Sequence, residues 1–345
     1  MSARPSVSVV VPCYNYGHYL PECVESALVQ QDVDVEVVIV DDASSDGSVA
    51  VAHDLATNDE RVQIIENKVN QGHIATYNIG LAAVTGQYVA QLSADDLLAP
   101  GALGRAVALL EARPEVTFVY GYAPEFTDRP PKPRTNVRSW SVWAGSEWLR
   151  HVCRRGSNVV TNPEVVMRSA VVRELGGYDE RLPQAADMYL WMRAATRGGV
   201  GRINGCHQAF YRVHGDNMHL TTYAGLIADI TERRRTFEYF FAEGDTGLAD
   251  PDRLHERVRW TLAREAVTLA RRSLDQGEPG IATKLAKFAE ETFPAVRDGR
   301  LWRNYARRFA RNSNGQAPSL GQRAWSVTDD LAARLRWRRW RRYGI

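Results

Sequence analysis

What this chain lacks narrows its class first. No apolar run approaches the roughly 18 residues needed to cross a bilayer, so no membrane span is expected. The apolar run 7–11 is too short for a signal-peptide core and no small-residue cleavage site follows it, which predicts no secretory leader. Cysteine is sparse: Cys13, Cys23, Cys153 and Cys206 make neither a CxxC pair nor a dense framework. A disulfide scaffold is excluded, and a reducing, cytoplasmic compartment is expected. With 44% hydrophobic and 24% charged residues, the bulk of the chain is neither disordered, collagen-like nor coiled coil. Its 345 residues suit one large α/β domain plus an extension.

The overall charge of +2 hides an asymmetry. Residues 1–220 carry 19 Lys and Arg against 25 Asp and Glu; residues 221–345 carry 24 against 16. An acidic front half argues against a nucleic-acid groove there, and the basic rear half points to an anionic surface or partner.

The front half alternates strand and helix patterns. β-Branched runs at 6–11, 35–40 and 62–65, and apolar runs at 88–92 and 116–120, read as strands; helical spacing recurs over 20–31, 48–58, 76–84 and 100–112. Such alternation predicts a doubly wound, mostly parallel sheet. The proline- and charge-rich stretch 122–139 reads as a loop, followed by a helix at 143–153, a strand at 164–167, a short helix to 175, a helix at 187–197 and a strand at 206–213. From 223 onward the pattern is helical, with segments at 223–242, 253–275, 279–292, 300–311 and 320–342. The expected organisation is two halves of one α/β domain (1–100 and 101–220) and a helical C-terminal extension (221–345).

Acidic residues mark the chemistry. In an open parallel sheet, ligands bind at the carboxyl ends of the strands. Two acidic pairs lie at such ends, Asp41-Asp42 after VEVVIV and Asp95-Asp96 after YVAQLSA. Each pair also reads as an ordinary turn before a helix. Adjacent carboxylates repel, and a divalent cation with oxygen ligands relieves that repulsion. Asp187 starts a helix whose apolar residues Leu190, Trp191 and Ala194 fall three, four and seven positions on, so it lies on or beside the buried face. It reads as a dipole-stabilising carboxylate or as a general base with raised proton affinity.

The segments SVVVPCYNYGHYLPECVESALVQ, VIVDDASSDGS, NQGHIATYNIGLAAVTGQYVAQLSADD, GGYDERLPQAADMYLWMRAATRG and YRVHGDNM, in that order across about residues 5–220, resemble family-2 glycosyltransferases of the GT-A fold. The resemblance implies a GT-A-type doubly wound sheet and an inverting transfer from a nucleotide sugar. It places Pro12, Tyr14 and Asn15 along the nucleotide base, Asp42 against base or ribose with Asp41 beside it, and Asn70 in the same donor-binding set. It implies that Asp95 and Asp96 hold Mn²⁺ or Mg²⁺ on the donor diphosphate, with His214 near diphosphate or metal, and that Asp187 is the catalytic base. The donor would be a UDP-, dTDP- or GDP-sugar and the acceptor a sugar, lipid-linked or other hydroxyl. The place is expected to be the cytoplasm, at the inner face of the plasma membrane, in polysaccharide or glycoconjugate synthesis.

Three positions depart from the family's pattern: Ser93 stands where an acid is common, Tyr77 where arginine is frequent, and Ala186 where glutamate often precedes the base. Ser93 and Ala186 leave a non-catalytic nucleotide-binding relative as an alternative. A nucleotidyltransferase is the other; it usually needs an early basic phosphate loop, and residues 12–20 contain neither Lys nor Arg. The QxxRW motif of processive members is absent, ERVRW at 256–260 being a near miss, which predicts a non-processive enzyme.

The tail 331–345, LAARLRWRRWRRYGI, holds six arginines, two tryptophans and no acid. Ala333, Trp337, Trp340 and Gly344 share one helical stripe. The tail reads equally as a helix packed on the protein and as a basic helix lying on a membrane; peripheral membrane contact through 331–345 is the expectation.

Overall fold

A computed structural model of the chain describes residues 4–215, 217, 225–244, 246–313 and 320–344, with the backbone alone at 313 and 320–330. Positions 216 and 218 of the YRVHGDNM segment, the expected helix start at 223 and the last tail residue, 345, lie outside the described residues. The chain divides into two compact units.

The first unit spans 1–148 and 160–215, with residue 344. Its elements in chain order are β1 (Ser6–Cys13), α1 (Leu20–Leu28), β2 (Asp34–Asp41), α2 (Ser48–Asn58), β3 (Val62–Glu66), α3 (His73–Ala83), β4 (Tyr88–Gln91), β5 (Leu97–Leu98), α4 (Ala102–Ala112), β6 (Val116–Tyr120), β7 (Glu125–Phe126), β8 (Ser139–Trp143), the start of α5 (Gly145–Arg155, which belongs to the second unit from Leu149 on), β9 (Val166–Arg168), α6 (Ser169–Leu175), α7 (Ala186–Arg197), β10 (Gly199–Asn204) and β11 (Ala209–Arg212). Eight strands form one twisted sheet in the order β3-β2-β1-β4-β9-β6-β10-β8. The β-branched runs of β1 and β2 are buried on both faces, as a central parallel strand covered by helices must be. β3, β2, β1 and β4 run parallel, as do β6 and β10; β9 is inserted antiparallel between β4 and β6, and β8 closes the edge antiparallel to β10.

Register sets up the site. Cys13 pairs with Asp41 and Val10 with Gln91, so residues 14–15, 42–46 and 92–96 leave the sheet at one end. A second sheet, β5-β11-β7, joins the strand just after Asp95-Asp96 to the one just before His214.

Several strands differ from the sequence expectation. The helix expected from 143 begins at Gly145, because Ser139–Trp143 pairs with β10 instead. β10 itself (GVGRIN) carries too few β-branched residues to read as a strand. Its glycines answer to packing: a Cβ at Gly201 would stand 2.8 Å from Leu109 Cδ2. Within 122–139, read as loop, Glu125–Phe126 pairs with β11. The strand expected over 206–213 is confined to Ala209–Arg212.

Gly145 lets the start of α5 meet the end of α7. A Cβ there would fall 1.7 Å from the Ala195 carbonyl oxygen and 2.3 Å from that of Gly198, both backbone atoms that cannot swing aside. Gly145→Ala is therefore expected to destabilise the protein by about 3 kcal/mol or more, read as a lower denaturant midpoint. An unchanged midpoint would show that α5 and α7 approach less closely.

The second unit comprises 149–159 and 216–343, with residue 345. It holds α8 (Leu226–Ala242), α9 (Pro251–Asp275), α10 (Pro279–Thr292), α11 (Arg300–Ser313) and α12 (Leu320–Tyr343). α9 buries Val258, Leu262, Ala266, Val267, Ala270 and Leu274 along one face, and Phe237 and Phe240 of α8 are core residues, as their pattern implies. Arg233 is a buried tie: its guanidinium meets Asp229, Glu265 and the Gly156 carbonyl.

Candidate active site

The first group of site residues comes from the ends of β1 and β2. Asn15 has a left-handed backbone (φ 59°), which asparagine tolerates better than most residues. Its Oδ1 accepts from the Ser45 amide (2.8 Å) and its own amide donates to Ser44 Oγ (2.9 Å), tying the two loops together. The Ser44 amide donates to Asp41 Oδ1 (2.9 Å), while Asp41 Oδ2 is buried with no hydrogen-bond partner. Asp42 differs. Its two oxygens take three protein donors: Asn67 Nδ2 (2.8 Å), the Gln71 amide (2.8 Å) and the Gly72 amide (2.9 Å). Asp42 thus fixes the loop that leads into α3, and Gly72 meets it with φ 86°, a conformation that strains other residues. Asn70 Oδ1 also accepts from the Gly72 amide (3.1 Å). Pro12 is the last but one paired residue of β1, next to these loops, and Tyr14 beyond the strand is 47% exposed, open to stack on a ligand.

The second group lies at the end of β4. The Asp96 amide closes a turn on the Ser93 carbonyl (2.9 Å). Asp95 Oδ2 meets His214 Nε2 at 3.0 Å, and Asp96 Oδ1 accepts from the Arg212 amide at 2.8 Å. Asp96 Oδ2 is buried and has no donor. Burial first, and then the Asp95 charge, push the Asp96 carboxyl well above its ordinary range. Two desolvated carboxylates with an orphaned oxygen are a fit for a hard divalent cation. Among the described residues, no three His, Cys, Asp or Glu side chains form a ready metal cluster, so a cation held by Asp95, Asp96 and His214 would need further oxygens from its ligand or from water.

Arg212 organises this corner, and the sequence reading missed it. Its Nε donates to the Asp95 carbonyl (2.8 Å), its Nη2 meets Glu22 Oε2 (2.6 Å), and its guanidinium lies between the Tyr19 and Phe126 rings at 4.7 and 4.4 Å. The signal available was an arginine in a short apolar strand, which must be paired if buried; its partners are 86 to 193 positions away and invisible to any local pattern. Tyr16 and Tyr19 pack on His214 at 5.5 and 5.4 Å between ring centres.

Two of the departures from the family pattern turn out to touch. Tyr77 Oη and Ser93 Oγ are 3.0 Å apart, Asn162 Nδ2 donates to Tyr77 Oη (3.0 Å), and Tyr178 Oη meets Asn162 Oδ1 (2.9 Å) and Gln91 Oε1 (3.0 Å). A neutral hydrogen-bonded chain thus underlies the acid turn.

Asp187 occupies the first turn of α7, half-buried, with Oδ1 taking the Met188 amide at 2.5 Å. Desolvation raises its carboxyl from 3.8 to about 6. The segment before it is pinned to α3: Asn78 makes a two-way pair with the Tyr178 backbone (2.9 and 2.8 Å), and His73 Nε2 donates to the Pro183 carbonyl (2.8 Å). Tyr211, on β11, has its phenol pushed up chiefly by burial and further by the charges of Asp96, Asp95, Glu125 and Asp187. It is a second residue the sequence reading missed, and it feels both the acid pair and Asp187.

Comparison with known proteins gives a consistent likeness. A family model described as Glycosyl transferase family 2 matches residues 8–172. The putative glycosyltransferase EpsE of Bacillus subtilis (strain 168) is 31% identical over 224 residues, covering 63% of this chain and 76% of the relative. Among solved structures, Staphylococcus aureus TarS 1–349 in complex with UDP-GlcNAc superposes with a TM-score of 0.63 at 17% identity, covering 90% of this chain and 92% of that one. The mannosyltransferase PcManGT of Pyrobaculum calidifontis, in complex with GDP-Man and Mn²⁺, does so with a TM-score of 0.56 at 21% identity, covering 94% and 84%.

Proposed function

Because the chain belongs to glycosyl transferase family 2 and has the GT-A fold, we propose that it moves a sugar from a nucleotide-sugar donor to an acceptor hydroxyl with inversion at the anomeric carbon. The observation that carries this reading is Asp187: a desolvated carboxyl, raised to about 6, at the start of a helix whose preceding segment is braced against the donor-side helix α3.

The donor lies across the ends of β1, β2 and β4. Tyr14 stacks on the base; Pro12, Asn15 and Asn70 shape the wall of its pocket. Asp41, with an unpaired buried oxygen, takes hydroxyl or imino hydrogens, and Asp42 supports it by holding residues 67–72. Asp95, Asp96 and His214 would hold a divalent metal, Mn²⁺ or Mg²⁺, which neutralises charge on the departing diphosphate. Arg212 keeps the Asp95 carbonyl and the Asp96 carboxylate in place. The Asp187 carboxylate removes the proton of the acceptor hydroxyl. The new bond joins that oxygen to the anomeric carbon as the bond from this carbon to the diphosphate oxygen breaks, and the nucleoside diphosphate departs with the electron pair. One displacement from the opposite face gives inversion.

The neighbours' bound UDP-GlcNAc and GDP-Man support a nucleotide-sugar donor, with a UDP- or GDP-sugar represented and a dTDP-sugar kept as the third candidate. The absent QxxRW motif supports non-processive transfer; the acceptor proposed is a sugar, lipid-linked or other hydroxyl, and the setting proposed is cytoplasmic synthesis of a cell-envelope polysaccharide or glycoconjugate. The test is a thermal-shift screen of sugar nucleotides with Mn²⁺, followed by transfer assays on the hits. At least one donor should raise the melting temperature, since a ligand that binds only the folded state stabilises it. No shift by any sugar nucleotide, with or without Mn²⁺, would overturn the reading.

A further inference from the structure

Large apolar side chains on the surface of a water-soluble unit signal a partner when they cluster. Among the described residues, twelve large hydrophobics are strongly exposed, and four of them, Leu331, Leu335, Trp337 and Tyr343, belong to the last turns of α12. Arginines fill the positions between. Leu331, Arg334, Leu335, Arg338 and Arg342 recur at intervals of three and four along one exposed stripe, and Arg336 and Arg339 flank it. No acid occurs from 331 to the end.

The tryptophan stripe read from the sequence is only partly open to solvent: Trp337 is exposed, Gly344 is buried. Trp340 is half-buried with the Arg155 guanidinium over its ring at 5.8 Å, and Arg341 donates to the Val159 carbonyl at 2.5 Å. These contacts hold α12 to residues 149–159 of its own unit and turn the leucine–arginine stripe outward. In the same unit α11 exposes Arg300, Arg303, Arg307 and Arg311 at helical spacing, and its sequence contains no acid.

We propose that α12, through Leu331, Arg334, Leu335 and Arg338, docks the protein on an anionic lipid bilayer, with the basic row of α11 adding charge. Charge complementarity selects an anionic partner, and the interleaved leucines and aromatics select a lipid surface over a soluble polyanion, which offers them no apolar phase. Docking leaves the helix in the interfacial plane, because no helix among the described residues is long and apolar enough to cross a membrane.

The experiment is co-sedimentation of the full chain with vesicles of phosphatidylcholine, with or without phosphatidylglycerol. It needs neither donor nor acceptor, so its outcome is independent of the transfer reaction. The expected result is binding to phosphatidylglycerol vesicles that weakens with salt. Arg334→Gln and Arg338→Gln should each lower partitioning about fivefold, and Leu331→Ser with Leu335→Ser by about tenfold or more. All four sites are on the exposed face, and an unchanged melting curve confirms that the variants fold. The proposal is overturned if the full chain ignores phosphatidylglycerol vesicles. It is also overturned if the leucine substitutions leave binding unchanged while heparin competes fully, the behaviour of a soluble-polyanion site.

Discussion

Asp187→Asn is expected to bind the donor like the wild type and to lose transfer by about two orders of magnitude or more, the usual scale for a removed general base. The amide preserves the shape of the carboxyl and can still accept the Met188 amide hydrogen. What it loses is the ability to take a proton. The wild-type enzyme should show the matching pH dependence. Its carboxyl is held at about 6 by burial, so kcat/KM should fall about tenfold per pH unit below 6 and level off above it. The same shift has a stability consequence of opposite sense. A folded-state value above the ordinary 3.8 means that the native state holds the proton more tightly than the unfolded chain. The stability this contributes is present at low pH and is lost as pH rises through 6. At pH 8 Asp187→Asn should therefore be more stable than wild type by about 1–3 kcal/mol, after allowance for partial exposure. Kinetics and denaturant unfolding on one preparation check both signs. Near-wild-type turnover with a verified acceptor would remove Asp187 from the base role.

Asp96→Ala is expected to abolish the metal-dependent part of nucleotide diphosphate binding, a loss of about 100-fold or more. The buried Oδ2 has no protein donor, and the neighbouring Asp95 charge opposes ionisation. On the proposed reading, a cation is the partner of that oxygen. The alanine also strips the Arg212 amide of its acceptor, so Asp96→Asn serves as the control: it keeps an acceptor for that amide and removes only the charge. Titration of nucleoside diphosphate with and without Mn²⁺ should find the metal effect large in wild type and lost in both variants. Full activity in excess chelator, with the metal effect absent from wild type, would make the acid pair a structural turn.

Much of this could be read from the chain because the relevant signals are local. The β-branched runs of β1 and β2 and the acids that follow them place two strand ends, and the 3.6-residue spacing around Asp187 places it at the edge of a buried helix face. The parts that escaped depend on distant partners. β10 is stabilised by two neighbouring strands while its own residues, three of them glycine or asparagine, favour no strand. Arg212 looks like one more residue of a short strand until Glu22, Asp95, Tyr19 and Phe126 converge on it. Asp42 and Asp41 are adjacent and chemically identical; only the loop from 67 to 72, folded back onto Asp42, distinguishes the carboxylate with three donors from the one with a spare oxygen. In α12 the arginine content was plain, but which stripe faces out depends on Trp340 meeting Arg155 from 185 positions away.

The central claim, a single displacement driven by one carboxylate base on a nucleotide sugar, is tested most directly by nuclear magnetic resonance of the product formed at the first turnovers. From an α-linked donor, the account predicts that the transferred sugar carries the β configuration in the new linkage. A product with the α configuration retained would contradict it, because retention cannot arise from one attack opposite the diphosphate.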